Sequence, residues 1–163
     1  MTVADKISAI SAAVATATFV AGVATLIKAI LEYRRQNSTK RFEIFQGMNA
    51  RFDESKFMEV RELLDDDSPN LAAFDYTTKH NFLGFFEEIS ISVNSRVMNA
   101  EVAFYMFGYY AIRCWESDNF WLGDKMLVKN SPYWRLFAHF VEQMKSMESK
   151  LVARTIDPRK LKF

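Results

Sequence analysis

The first long apolar run of the chain covers residues 7–27, twenty-one positions without a charged side chain. At about 1.5 Å per residue, a helix of this length spans roughly 30 Å, the hydrocarbon thickness of a bilayer. A basic cluster follows directly, at Lys28, Arg34, Arg35, Lys40 and Arg41. The pattern predicts a transmembrane anchor helix within residues 1–31 and a cytoplasmic domain over residues 32–163.

Beyond the anchor, apolar residues recur at helical spacing in several segments. We expect residues 31–52 to continue the anchor as a helix, with a break near Asn37 and Ser38. A second helix follows a cap at Asp53 and ends in an acidic loop at residues 65–69, after which residues 71–78 are expected to be irregular. A third helix covers about residues 79–93, although residues 89–93 also alternate like a strand.

Two further helices are predicted in the last third of the chain. Asn99 caps the first, which reaches Glu116 with an apolar face at Val102, Tyr105, Met106, Tyr109 and Ile112. Ser131 followed by Pro132 is a strong start signal for the second. The predicted fold is therefore all-α, a single N-terminal transmembrane helix followed by a cytoplasmic bundle of about four to five helices.

The composition of the anchor changes its interpretation. Thirteen of its twenty-one residues are Ala, Gly, Ser or Thr, so its insertion into lipid is only weakly favourable. At 100° per residue, small side chains share one narrow stripe: Ser11, Ala15, Thr18, Gly22, Thr25 and Ala29. Small residues let helices approach closely in lipid, so the stripe predicts self-association. Two other interpretations stay open, namely that the stripe lines a pore in a ring of helices or that it arises by chance in an Ala-rich segment.

The charges around the anchor predict its orientation. Asp5 and Lys6 cancel before the apolar run, whereas the basic residues follow it. The positive-inside rule then places residues 28–41 in the cytoplasm, in contact with anionic headgroups, and the N-terminus outside a bacterial inner membrane. A cleaved signal peptide and a buried helix of a soluble protein are the two alternatives.

The remaining composition points away from catalysis. The net charge of +1 gives no reason to expect DNA as a partner, and the single cysteine, Cys114, excludes an intrachain disulfide. The two histidines, His80 and His139, have no metal-ligand spacing, and no glycine-rich phosphate loop is present. We therefore expect no enzyme activity, no cofactor and no metal.

Two groups of polar residues need separate interpretations. Arg135 and His139 resemble the Arg and His of helical HEPN ribonucleases, but three residues separate them where that class has four to six. We interpret them as a solvated helix face, and a divergent nuclease is the alternative. We expect Cys114 in or near the core, and Glu87 or Glu88 in an ion pair with Arg61, Arg96 or Arg113.

Several motifs together resemble a known family. They are the hydrophobic amino terminus, Tyr33–Arg34–Arg35, residues 42–52 ending in Met-Asn-Ala-Arg-Phe, residues 81–88 and the aromatic residues of 107–115. This arrangement resembles the bacterial and phage domain-of-unknown-function family 4760 over most of the chain. In layout alone, it is also similar to the small ring-forming membrane pores that accompany some RNA-targeting CRISPR systems.

The resulting expectation is a non-enzymatic membrane protein that self-associates through its first helix. It would perturb or perforate a membrane, in defence against phage. The alternative is a membrane-tethered module that recruits a cytoplasmic protein through an aromatic surface. Membrane lipid, further copies of the chain and a cytoplasmic protein are the expected partners.

Overall fold

The computed structural model describes the backbone of residues 3–153 and residue 161, and the side chains of these residues apart from 4–15. The described residues form helices and connecting turns and contain no strand, which confirms the all-α prediction. Residues cluster into two compact units, Met1–Lys40 and Arg41–Phe163. The predicted boundary between residues 31 and 32 separates the membrane anchor from the cytoplasmic domain, and it stays a prediction.

Helix α1, Val3–Phe52, is uninterrupted, so the predicted break near Asn37 and Ser38 is wrong. Both residues are helical. Asn and Ser cost only a fraction of a kcal/mol in a helix interior, roughly 0.5, and no proline is present to remove a backbone donor. The Thr39 hydroxyl donates to the carbonyl of Arg35, 3.1 Å away, and so stays within the helix.

Helix α2, Ser55–Asp65, begins two residues beyond its predicted cap. The N-cap is Glu54, without a side-chain hydrogen bond, so the prediction of Asp53 is wrong. The carboxylate of Asp53 instead accepts a hydrogen bond from the Arg61 guanidinium at 3.1 Å. The helix ends in a Schellman motif, with Asp67 in the left-handed region at φ +46°.

Helix α3, Tyr76–Asn94, follows a short 3₁₀ turn at Pro69–Ala73. Of residues 71–78, which were predicted to be irregular, only Phe74 and Asp75 lie outside a 3₁₀ turn or an α-helix. Asp75 caps the helix and accepts a hydrogen bond from the Thr78 backbone N–H at 2.9 Å. The tail that alternates like a strand is helical, and Ile89 and Ser90 are buried in it.

The predicted fourth helix contains a π-helical turn. Helix α4, Ala100–Ala103, continues through this turn at Phe104–Gly108 into helix α5, Tyr109–Glu116. Phe104 and Phe107 lie within this turn and are buried. Tyr105 and Tyr109, predicted on the apolar face, are 60% and 50% exposed.

Helix α6, Arg135–Val152, forms where the start signal predicts a helix. A 3₁₀ turn at Pro132–Trp134 precedes it, with Ser131 as N-cap. Phe137, Phe140, Val141 and Met144 are buried along one face, as their helical spacing predicts.

Phenylalanine rings fill the core of the unit Arg41–Phe163. Phe52 stacks on Phe85 with 5.1 Å between centroids and meets Phe107 edge-on at 5.2 Å. Phe86 stacks on Phe137 at 5.5 Å, which joins α3 to α6. Such ring pairs contribute about 0.5–1.5 kcal/mol each beyond the area they bury. The end of α1 is thereby a structural part of the bundle.

Candidate functional site

The apolar surface of α1 is the first candidate site. Among the described residues, one helix is long and apolar enough to cross a membrane, and none of its apolar window, which lies near the N-terminus, is buried. Phe19, Leu26 and Leu31 are each at least 60% exposed. Water is a poor solvent for so much exposed apolar surface, and lipid or partner helices would cover it. This exposure argues against the alternative of a core helix.

The predicted small-residue stripe lies on this exposed helix. Thr18, Gly22, Thr25 and Ala29 are all exposed, and a Cβ on Gly22 would meet no other atom within 4 Å. The stripe's other two members, Ser11 and Ala15, lie outside the residues whose side chains are described. Thr25 donates its hydroxyl to the carbonyl of Ala21 at 2.9 Å. Because this hydroxyl already donates within the helix, Thr25 contributes to a partner contact mainly through its small size.

The predicted headgroup residues fall into two groups. Lys28, Arg34, Arg35 and Lys40 are exposed along α1, where their ammonium and guanidinium groups can meet phosphate. Arg41 is half-buried and lines a cleft of about 490 Å³ with Arg96, Asn99 and Gln143. Sequence patterns gave no indication of this grouping, because Arg96 lies fifty-five positions beyond Arg41.

A buried lysine connects α3 to the loop between α5 and α6. Lys79 is fully buried, and its Nζ donates to the carbonyl of Leu122 at 2.6 Å. Burial lowers the pKa of Lys79, while the nearby Asp124 and Cys114 act in the opposite direction. The hydrogen bond to Leu122 gives Lys79 a structural role, because it fixes the loop.

Cys114 is fully buried, as predicted for a core residue. Burial raises the pKa of the Cys114 thiol well above its usual value, although Lys129 and Lys79 oppose this effect. A neutral, inaccessible thiol is a weak nucleophile, so the site lacks the features of a reactive cysteine.

The same loop is held by a second set of contacts around Asp67. Its carboxylate accepts hydrogen bonds from the Ser117 hydroxyl at 2.5 Å and from the Asp118 backbone N–H at 3.4 Å. Its backbone carbonyl accepts one from the Asn119 amide at 2.6 Å. Burial acts to raise the pKa of Asp67, but the hydrogen bonds outweigh it and the pKa is lowered. The loop is thus anchored at its start as well as at Leu122.

This anchored loop exposes large apolar side chains. Leu122 and Val128 are 55% and 54% exposed, Met126 is 73% exposed, and Tyr133 at the start of the following 3₁₀ turn is 84% exposed. A fixed loop with exposed Met and Tyr side chains is a suitable protein-binding surface, since little conformational entropy is lost on binding.

In the described part of the chain, His139 and Glu88 each lie near one ionisable side chain. His139 is exposed, with Nδ1 3.9 Å from the carboxylate of Glu142. No group of three His, Cys, Asp or Glu side chains in the described part of the chain is arranged to hold a metal. Glu88 pairs with Arg51 at 2.6 Å, so the predicted ion-pair partners were wrong. Glu87 is half-buried, and burial raises its pKa against the opposing effects of the Phe137 backbone and His80.

The comparison with protein families gives one finding. Residues 12–150 match the model of the domain of unknown function DUF4760, which confirms the resemblance recognised in the sequence. The chain belongs to this family. No curated protein and no solved structure shows significant similarity to the chain.

Proposed function

We propose that this DUF4760 protein is a single-pass membrane protein that self-associates through the small-residue face of α1 and acts as a membrane-perturbing or pore-type component. The observation that carries the proposal is the exposed stripe of Thr18, Gly22, Thr25 and Ala29. At about 100° per residue, the bulky residues Phe19, Val23, Leu26 and Ile30 lie to one side of this stripe. In a bilayer, the bulky side faces lipid and the small side packs against a second helix.

The proposed location is the bacterial inner membrane, with the N-terminus outside and the bundle in the cytoplasm. The basic residues after the apolar run support this orientation. A reporter enzyme that is active only outside the cytoplasm should be active when fused to the N-terminus and inactive when fused after Val152. The reverse pattern would contradict the orientation.

Self-association is tested with a matched pair of substitutions in the full chain. Gly22→Leu adds a bulky side chain to the small face, whereas Val23→Leu changes a neighbouring position on the bulky side. The mass of the detergent-solubilised particle should correspond to several chains for wild type and Val23→Leu, and to fewer chains for Gly22→Leu. A wild-type particle that is monomeric at every concentration would refute the proposal.

Membrane perturbation is tested with the same variants in dye-filled vesicles. Wild type and Val23→Leu should release the dye, and Gly22→Leu should release much less of it. In phage-infected cells, the same order should appear in plaque numbers, because we propose that the protein functions in defence against phage. Vesicles that stay intact with an oligomeric wild-type protein would leave self-association standing and exclude the pore.

A second candidate is a membrane-tethered module that recruits a cytoplasmic protein, favoured by the anchored loop and its exposed Met126 and Tyr133. A chain lacking residues 7–27 should still capture this partner, and Met126→Asp should abolish capture. Ile91→Asp is the control, because Ile91 is a similarly exposed apolar residue on α3. Equal loss with both substitutions would exclude the loop as the binding surface.

A further inference from the structure

We infer that the cleft lined by Arg41, Arg96, Asn99 and Gln143 is a binding site for a phosphate group, provided by an anionic lipid headgroup or by free phosphate. The cleft has a volume of about 490 Å³, and its other lining residues are Val93, Met98 and Ala100. Among the described residues, no carboxylate lines the cleft. The lipid source rests on the proposed membrane anchoring, whereas the phosphate chemistry does not.

The two arginines have unused hydrogen-bonding capacity. Within the described part of the chain, no carboxylate lies within ion-pair distance of Arg41 or Arg96. A guanidinium group presents paired N–H donors whose spacing matches two phosphate oxygens. Two such groups at one cleft therefore favour an oxyanion that accepts paired hydrogen bonds over a neutral ligand.

Asn99 adds a further donor. Its side-chain oxygen accepts a hydrogen bond from the Glu101 backbone N–H at 2.9 Å, which leaves the amide Nδ2 hydrogens for a ligand. Gln143 contributes a half-buried amide from α6. The donors thus come from α1, from the turn between α3 and α4, and from α6, and the fold brings them together.

A second cleft differs from this one in the balance of its charged residues. The cleft between α5 and α6 also contains cations, Arg113 and Lys145, but Glu116 and Glu148 line it as well. Lys145 is already paired with Glu116 at 2.5 Å. The carboxylates of this second cleft balance its cations, whereas no described carboxylate lies within ion-pair distance of Arg41 or Arg96.

The backbone at Arg96 supports a role for its side chain. Arg96 has φ +58° and occupies the position after α3 where a Schellman motif usually has glycine. Its N–H bonds the Val93 carbonyl at 3.0 Å, and the Val97 N–H bonds that of Ser92 at 2.9 Å. A glycine would adopt this conformation at lower cost, so the chain retains an arginine at some expense in stability.

The experiment uses the full chain in detergent, with phosphatidylglycerol as the lipid probe and inorganic phosphate as the free probe. Native mass spectrometry counts retained lipid, and calorimetry measures phosphate binding. Arg41→Gln and Arg96→Gln should each weaken binding about tenfold, since each removes charge-assisted hydrogen bonds. Arg135→Gln, an exposed arginine on α6 with the same charge change, is the control and should bind normally.

Arg96→Gly distinguishes a binding role from a structural one. This variant should unfold at a higher temperature than wild type, because glycine suits the positive φ, and yet bind the probes about tenfold more weakly. Tight binding by Arg96→Gly, or equal loss in all variants including Arg135→Gln, would overturn the site.

The two probes distinguish a lipid headgroup from free phosphate as the ligand, and they test the cleft separately from membrane anchoring. Lipid retention that inorganic phosphate displaces supports the headgroup as ligand, whereas phosphate binding without lipid retention supports free phosphate. A chain that fails to enter bilayers but binds phosphate in the arginine-dependent manner would refute anchoring and leave the cleft standing. Absence of binding to both probes would refute the cleft alone.

Discussion

Gly123 is the position at which a single added methyl group should disturb the fold most clearly. It has φ +91°, and a Cβ built there would lie 2.1 Å from the carbonyl oxygen of Ala72. An L-residue at such a φ costs about 1–3 kcal/mol. The backbone of the 3₁₀ turn must also move by at least about 1.3 Å, from 2.1 Å to the 3.4 Å of ordinary contact, which adds about 1–3 kcal/mol by analogy with overpacking. Gly123→Ala should therefore lower the free energy of unfolding by roughly 2–6 kcal/mol.

Gly84 provides the matched control, because a Cβ there would meet nothing within 4 Å. It lies inside α3, where alanine is about 1 kcal/mol more favourable than glycine. Gly84→Ala should raise stability by up to this amount. The same chemical change thus has opposite expected signs at the two positions.

Urea unfolding of the full chain in detergent measures both effects. Tryptophan fluorescence is a suitable signal, since the three tryptophans lie at positions 115, 121 and 134, within the unit Arg41–Phe163. Gly123→Ala should unfold at a lower urea concentration than wild type, and Gly84→Ala at a higher one. Equal midpoints for the two variants would mean that the loop does not approach Ala72 in the folded protein.

Three further predictions concern the bundle. Phe52→Ala should lower the free energy of unfolding by about 3–5 kcal/mol, because Phe52 is 3% exposed. Phe42→Ala, at a position that is 43% exposed, should lower it by less than about 2 kcal/mol. Equal losses in urea unfolding would contradict the ring cluster. The lowered pKa of Asp67 stabilises the fold above the usual value of 3.8, and this stability is lost as pH falls through the folded-state pKa. The drop in unfolding temperature between pH 5 and pH 3 should therefore be smaller for Asp67→Asn, and an equal drop would count against the hydrogen bonds. The Cys114 thiol should react with a maleimide at least about 100-fold more slowly in the folded than in the urea-unfolded chain, and a fast reaction when folded would place it at the surface.

Local signals predicted the parts of the fold that depend on local physics. The charge-free run and the start signal at Ser131 predict α1 and α6, because helical periodicity and capping are readable in neighbouring residues. The π turn was missed because one inserted residue changes the period without altering composition. Tyr105, which lies within this turn, was predicted on the apolar face and is exposed.

The candidate sites were predicted unevenly for a related reason. The stripe and the basic cluster lie on one helix, so their spacing is visible in the sequence. The cleft joins Arg41 to Arg96 through packing of α1, α3 and α6, and no local pattern encodes that approach. The burial of Lys79 is likewise set by the loop that covers it.

The π turn at Phe104–Gly108 also has a consequence for how members of the family should be compared. A π turn holds one residue more than an α-helical turn with the same flanking helices. A relative lacking one residue here would form a continuous α-helix with the same packing on both sides. An alignment without a gap at this turn would then pair buried Cys114 with the counterpart of the half-buried Trp115, and every downstream comparison on α5 would be displaced by one residue.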